Sequence, residues 1–217
     1  MRRFNTFAAI ALAAAAPLAL ADNAPAPSTA PVPAGAYRVD KPHTSLTFRV
    51  NHMGFSQFTG RFTDVEANLK FDPAHIAASS VSVTVNPKSV STDNAPGGFL
   101  DTIAGEQLLD AAKYPQMTFV SKSVESTGAN TFRINGELTM HGVTKPVTLK
   151  GELTSAVTDP WGNQRTALAV TAKINRKDWG LTYNQALETG GLVVGEDVKL
   201  SIEFEAVAVK DEALVAA

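Results

Sequence analysis

Four histidines, no cysteine and a scatter of serines and acids bound the chemistry open to this 217-residue chain. Without a thiol there is no disulfide, no thiolate nucleophile and no cysteine-ligated zinc or iron–sulfur site. His43, His52, His75 and His141 form neither a Cys₂His₂ set nor a helical His-Glu-x-x-His pair, and a metal would need a third ligand to which the sequence does not point. No Gly-x-Ser-x-Gly elbow presents a serine nucleophile, and no Gly-x-Gly-x-x-Gly or P-loop cradles a phosphate. The expectation is therefore no catalytic residue, no metal and no cofactor. His43 and His141 read as strand-end residues bonded to backbone. His52 stands apart because it shares an alternation face with Phe48 and Val50. A neutral imidazole there could bond a ligand head group, and a satisfied core histidine fits equally well. A formal net charge of -2 supplies no basic excess for nucleic acid.

The elements that would position such groups are strands. In Asn130–Thr154 the apolar Phe132, Ile134, Leu138 and Met140 alternate with Arg133, Asn135, Glu137 and Thr139. After a short break Val147, Leu149 and Leu153 alternate with Thr148, Lys150 and Glu152. A period of two puts the apolar side chains of an extended strand on one face, so the stretch predicts an antiparallel hairpin with one dry side. Gly136 and Gly151 fall on that dry side, where a glycine lets the sheet bend or lets something approach the backbone.

Along the chain, Met1–Ala21 has the positive start, the Ala/Leu-rich apolar run and the Ala-Leu-Ala site of a cleaved secretory signal, with no cysteine behind it for lipid attachment. The run is too short for a good membrane span. Residues 22–36, rich in Pro and Ala, read as a poorly ordered tether without core residues. One folded unit is expected over 37–210, with a tail at 211–217. Strands are expected at Tyr37–Asp40, Ser45–Met53, Gln57–Phe71 with a bend at Gly60, Ser80–Asn86, Gln116–Glu125, the hairpin, Arg165–Arg176 and Asp197–Val209. Phe99–Ala112 has rough helical spacing and predicts one or two short helices over one end of the sheet. In Gln116–Glu125 the Met117, Phe119 and Ser121 face is expected inward. About eight strands with one helical insert suit an all-β antiparallel barrel.

Several ordered motifs then resemble the YceI-like family. They are Tyr37-Arg38-Val39-Asp40, His43–His52, Gly60-Arg61-Phe62, Phe71-Asp72-Pro73, Lys113-Tyr114-Pro115, Gly136–Val147, Asn175–Leu181 and Val194–Val198. The resemblance spans nearly the whole chain after the tether. It implies an extended eight-stranded lipocalin-like barrel with a long apolar lumen, a periplasmic location, a homodimer, and a long-chain isoprenoid, isoprenoid quinone or similar lipid as ligand. The chain departs from the family at Gly98-Phe99-Leu100, where members often carry His-Leu; a head-group contact made by that histidine elsewhere is missing here.

Burial energetics make such a ligand reasonable, since each methylene removed from water contributes about 0.8 kcal/mol. The residues expected to line the lumen are Phe48, Val50, His52, Phe62, Leu69, Phe99, Leu100, Met117, Phe119, Phe132, Ile134, Leu138, Met140 and Trp179. Alternation alone leaves two other readings open. The same side chains could meet across the middle as a filled core, giving a module that works through a protein partner. A transmembrane barrel would show the same alternation with its apolar side outward, although paired aromatic girdles are missing from the sequence.

Overall fold

Val81, Val83 and Val85, like Val65, Ala67, Leu69 and Phe71, are buried while their neighbours in sequence are not, as a half-buried pleated strand requires. The computed structural model describes residues 30–209; the expected signal, most of the tether and the tail lie outside them. The strands in chain order are β1 Gly35–His52, β2 Ser56–Phe62, β3 Val65–Phe71, β4 Ser80–Val85, β5 Val90–Ser91, β6 Met117–Ser126, β7 Thr131–Met140, β8 Val143–Leu153, β9 Val157–Thr158, β10 Gln164–Asn175 and β11 Val194–Val209. One short helix, α1, spans Phe99–Ala104. Every ladder is antiparallel, and β1, β3, β4, β6, β7, β8, β10 and β11 close into a ring when β11 pairs with β1. This is the all-β eight-stranded barrel with a small helical insert that the sequence predicts.

The ring has one break. The outer edge of β1 pairs with β3 only at Gly35–Arg38 and with β2 at Leu46–His52. Beyond β1, β2 pairs only with the two-residue β5, so no ladder joins it to β3 or β4 among the described residues. Half-buried Phe99, Leu100 and Ile103 of α1 lie on this side, and no residue of α1 is buried.

Four local expectations are corrected. Tyr37–Asp40 and Ser45–Met53 are one strand, β1, with an irregularity between Val39 and Thr44 that absorbs Lys41-Pro42; a bulge is where a proline without an N–H is tolerated. Gln57–Phe71 is two strands, split at Thr63-Asp64, whose N–H groups turn to the backbone and hydroxyl oxygens of Ser89. Met117 and Phe119 do face inward, but an irregularity between Ser121 and Ser123 shifts the alternation and buries Val124 instead of continuing the pattern. The last part of the expected tether belongs to the core: Val32 is buried, Ala30 O accepts from Ala156 N at 3.0 Å, and Tyr37 OH donates to Pro33 O at 2.8 Å.

Candidate functional site

The inward positions make a single apolar core. Val50, Phe62, Leu69, Met117, Phe119, Phe132, Ile134, Met140 and Trp179 are buried, and Phe48 and Leu138 pack half-buried against them. The open bore that the resemblance implies is closed in this structure. The void enclosed by Leu69, Phe71, Val81, Val124, Phe132 and Leu168 measures about 20 Å³, room for about one water and for no hydrocarbon chain. A hollow of about 440 Å³ lies on the outer face of the wall, among exposed Thr131, Arg133, Lys150 and Glu152.

The expected lining residues fall into separate groups. Leu69, Phe132 and Ile134 surround the small void, where the rings of Phe71 and Phe132 meet edge-on at 6.1 Å. Phe48, Phe62 and Phe99 belong to a chain of rings under the break in the wall. Phe48 lies 5.4 Å from Phe62 and 6.0 Å from Phe58, and Phe58 lies 5.7 Å from Phe99. Phe58 joins the two halves of this chain and is missing from the sequence-derived set, although Phe58, Gly60 and Phe62 alternate plainly. His52 and Leu100 are half-buried at the same end.

The apolar-face glycines are already occupied. A Cβ on Gly136 would come within 2.4 Å of the Phe119 ring and 2.5 Å of Val120 O, and one on Gly60 within 2.4 Å of the Phe48 ring. What approaches the backbone there is the barrel's own aromatic side chains.

Trp179 closes one end of the barrel from the turn Arg176–Trp179. Its indole is 2% exposed, and Nε1 donates to Leu138 O at 3.0 Å, so its polar atom is spent on the wall. His141 Nδ1 donates to Trp179 O at 3.1 Å, and the imidazole packs 4.8 Å from the Tyr114 ring. Tyr114 in turn lies against Gly142, whose φ of +74° and missing Cβ make the contact sterically allowed. Arg176, also buried, donates to Gly195 O at 2.9 Å, Val194 O at 3.4 Å and Leu181 O. Burial lowers the pKa of this guanidinium from the ordinary arginine value. The motifs Lys113–Pro115, His141-Gly142, Asn175–Leu181 and Val194–Val198 thus converge on one structural lid.

The opposite end is tied by charge. Arg165 pairs with Asp159 at 2.8 Å, Asp40 at 2.5 Å and Glu205 at 3.0 Å. The bond from Arg165, then that from His43, holds the Asp40 carboxyl below the usual carboxylate range. Burial opposes ionisation of Asp159, but bonds from Arg165, Asn163 and the Trp161 N–H outweigh it and hold its pKa well below the ordinary value. His43 bonds the Asp40 carboxylate at 3.0 Å, not backbone as expected. Asp40, His43 and Glu205 bring one potential ligand atom each to within 4.8 Å of one another, a grouping the sequence hid because Glu205 comes from the last strand. Arg165 Nη1 already bonds the same Asp40 and Glu205 oxygens, so a guanidinium supplies the charge a cation would bring.

Outward positions toward both ends of the wall carry Arg49, Arg133, Lys150, Lys173 and Lys199, all exposed, and charges so placed do not suit the outward apolar band of a membrane-spanning barrel. No helix among the described residues is long and apolar enough to cross a membrane.

Together these features define a closed antiparallel eight-stranded barrel with an apolar interior, one end sealed by a buried Trp–Arg lid and the other by an ion-pair network. The chain belongs to the YceI-like family, whose domain matches residues 37–206. It is 40% identical over 139 residues to a UPF0312 protein of Vibrio cholerae, covering 64% of this chain and 72% of that one. A UPF0312 protein of Yersinia pestis is 35% identical over 176 residues, with 80% and 87% covered. Among solved structures it is similar to the Campylobacter jejuni YceI protein, with TM-score 0.62, 28% identity and 74% of this chain and 90% of that chain covered. It shares its fold with BcnA of Burkholderia cenocepacia, at TM-score 0.67 and 24% identity over 77% of this chain and 98% of that one. It also shares its fold with a polyisoprenoid binding domain from Saccharophagus degradans, at TM-score 0.60 and 14% identity over 82% and 100%.

Proposed function

We propose that this protein is a binding protein, not an enzyme, and that it holds an isoprenoid or another long-chain amphiphile inside the barrel. One observation carries the reading: the apolar core continues, through the rings of Phe48, Phe58 and Phe99, to a break in the wall where α1 lies, a helix with no buried residue, anchored through the turn that buries Leu109 and Ala111. A cover that buries none of its own residues is the part of the fold that opens at least cost. A chain threading past it replaces aromatic contacts with its own methylenes, each contributing about 0.8 kcal/mol of burial. The polyisoprenoid binding domain of the same fold supports the choice of ligand class. Native mass spectrometry of protein purified from its host, with uptake of a long-chain prenyl compound by the emptied protein, tests the reading. A bound apolar mass or saturable uptake is expected; empty protein together with no uptake overturns it.

The void of about 20 Å³ favours a second reading, in which the core stays filled and the outer surface recruits a protein partner. The same uptake measurement separates the two. The segment Met1–Ala21 supports export to the periplasm, which N-terminal sequencing checks by finding Asp22 first. The expected homodimer is read from the same native spectrum.

A further inference from the structure

Exposed large apolar side chains gather at both ends of the barrel, but only one gathering lies beside three cations set directly opposite one another across neighbouring strands. At the end closed by Trp179, Phe55 is 78% exposed in the turn between β1 and β2, and Leu192 is 44% exposed in the loop before β11. The two turns are bound to each other, Met53 N donating to Val193 O at 2.8 Å just past the His52–Val194 pair. They form one tip beyond the last ladder. At the far end Trp161 is 80% exposed and Val157 47%. There Arg165 is taken up by Asp40, Asp159 and Glu205, His43 lies by Asp40 and Glu205, Arg133 is paired with Glu125, and the exposed Arg38, Lys70 and Lys150 do not line up in one row.

Behind the Phe55 tip runs a row of cations. Arg49 on β1 is directly opposite Lys199 on β11, and Lys199 is directly opposite Lys173 on β10. All three are exposed on the outer face. Like charges placed opposite one another across a ladder are destabilising, so this row carries a cost that stability does not explain. Lys173 pairs with Asp197 at 2.6 Å, whereas Arg49 donates to the Thr59 hydroxyl at 3.2 Å, and no carboxylate pairs with Arg49 or Lys199 among the described residues. The other acids at this end include Glu196, which is paired with Lys177 at 2.5 Å, Asp178 in the Arg176–Trp179 turn and Glu188 in the loop.

The spacing of the two features decides the partner. Arg49 lies three residues before His52 on an extended strand, about 10 Å back from the last pair of the ladder, with the tip beyond it. Interfacial apolar groups sit roughly 5–10 Å into the headgroup and acyl boundary. With Phe55 and Leu192 at that depth, Arg49, Lys199 and Lys173 face the anionic surface within about a Debye length of it, in a row about 10 Å across three strands. We infer that the Phe55–Leu192 tip and the Arg49–Lys199–Lys173 row dock this barrel end-on against an anionic lipid bilayer. The docked end is also the end of the wall break under α1. This deepens the proposed function, on which its purpose rests, but docking is measurable without any ligand in the barrel.

The test is sedimentation of the full chain, emptied of ligand, with vesicles containing phosphatidylglycerol and with vesicles of pure phosphatidylcholine. Binding to the anionic vesicles that weakens steeply with salt is expected. Each cation removed near an anionic surface weakens binding about fivefold, so Arg49→Gln with Lys199→Gln costs over tenfold. Phe55→Ser with Leu192→Ser costs at least about tenfold by loss of apolar burial, whereas Trp161→Ser leaves binding unchanged. Equal binding to neutral vesicles, indifference to the Arg49 and Lys199 changes, or loss of binding with Trp161→Ser overturns the inference. Uptake of the prenyl compound from solution separates the two proposals. Docking without uptake overturns the ligand reading and leaves the docking surface standing; uptake without docking does the reverse.

Discussion

The two ends of the barrel are closed by opposite means. At one, a single indole and a guanidinium are buried and donate inward to backbone carbonyls of the wall, so the closure is a plug bonded to the ladders themselves. At the other, the chain before β1 packs Val32 against the core while Arg165 gathers three carboxylates at the partly exposed outside. Carboxylate titration reaches the plug through Glu196, which pairs with Lys177 and acts on Arg176, and reaches the network through three carboxylates bonded to Arg165 itself. The difference teaches where the family motifs act: half of them assemble the plug, and the side chains lining the interior are ordinary alternating hydrophobics.

The sharpest way to break the comparison is to remove the plug. Trp179→Ala empties the largest fully buried side chain among the described residues and strands the Leu138 carbonyl, and is expected to destabilise by about 3–5 kcal/mol in urea denaturation. Arg165→Met should cost clearly less; the reverse ranking would mean that the charged end holds the barrel. Gly136→Ala tests the wall between the ends. The Phe119 ring and Val120 O must move, which overpacks the core by about 1–3 kcal/mol. Acid sharpens the contrast next. The folded pKa values of Asp40 and Asp159 are both lowered, so the stability they contribute is fully present above the ordinary carboxylate value of 3.8 and is lost as pH falls through the folded values. Wild-type stability is therefore expected to drop as pH falls below about 4, and Arg165→Met to flatten that drop, both read from denaturation midpoints against pH. Phe99→Ala should do least to stability, about 1 kcal/mol or below, because the ring is half-exposed. It should nevertheless speed uptake of a prenyl compound in stopped-flow fluorescence. An unchanged uptake rate would place access elsewhere than under α1.

Much of this architecture is legible in the residues. Alternation from Phe132 to Leu153 sets both hairpin strands and their inward faces, and the turn with His141 and Gly142 at positive φ falls where the apolar pattern pauses. What escapes alternation is any place where the pairing register slips. The irregularity in β6 buries Val124 out of phase, and the one in β1 carries a proline through a strand that local rules would end. The interior suffers from a related blindness. A period of two says which side chains point inward but not whether they meet, so Phe48 and Phe119 read equally well as lining or filling until their rings are seen lying on glycines. The Asp40–Arg165–Glu205 network was invisible because its members come from three strands distant in sequence. Phe58 could have been found, since it alternates with Gly60 and Phe62 within one short run.

The bare glycine backbone beneath Phe48 and Phe119 has a mechanical consequence. Each ring rests on a patch of wall with no side chain of its own, so the seat of the ring is set by the glycine and not by a neighbouring side chain. With about 20 Å³ of void nearby, a ring lifted from that seat must displace other side chains, so the two glycines pin the aromatic packing of the interior to the wall itself.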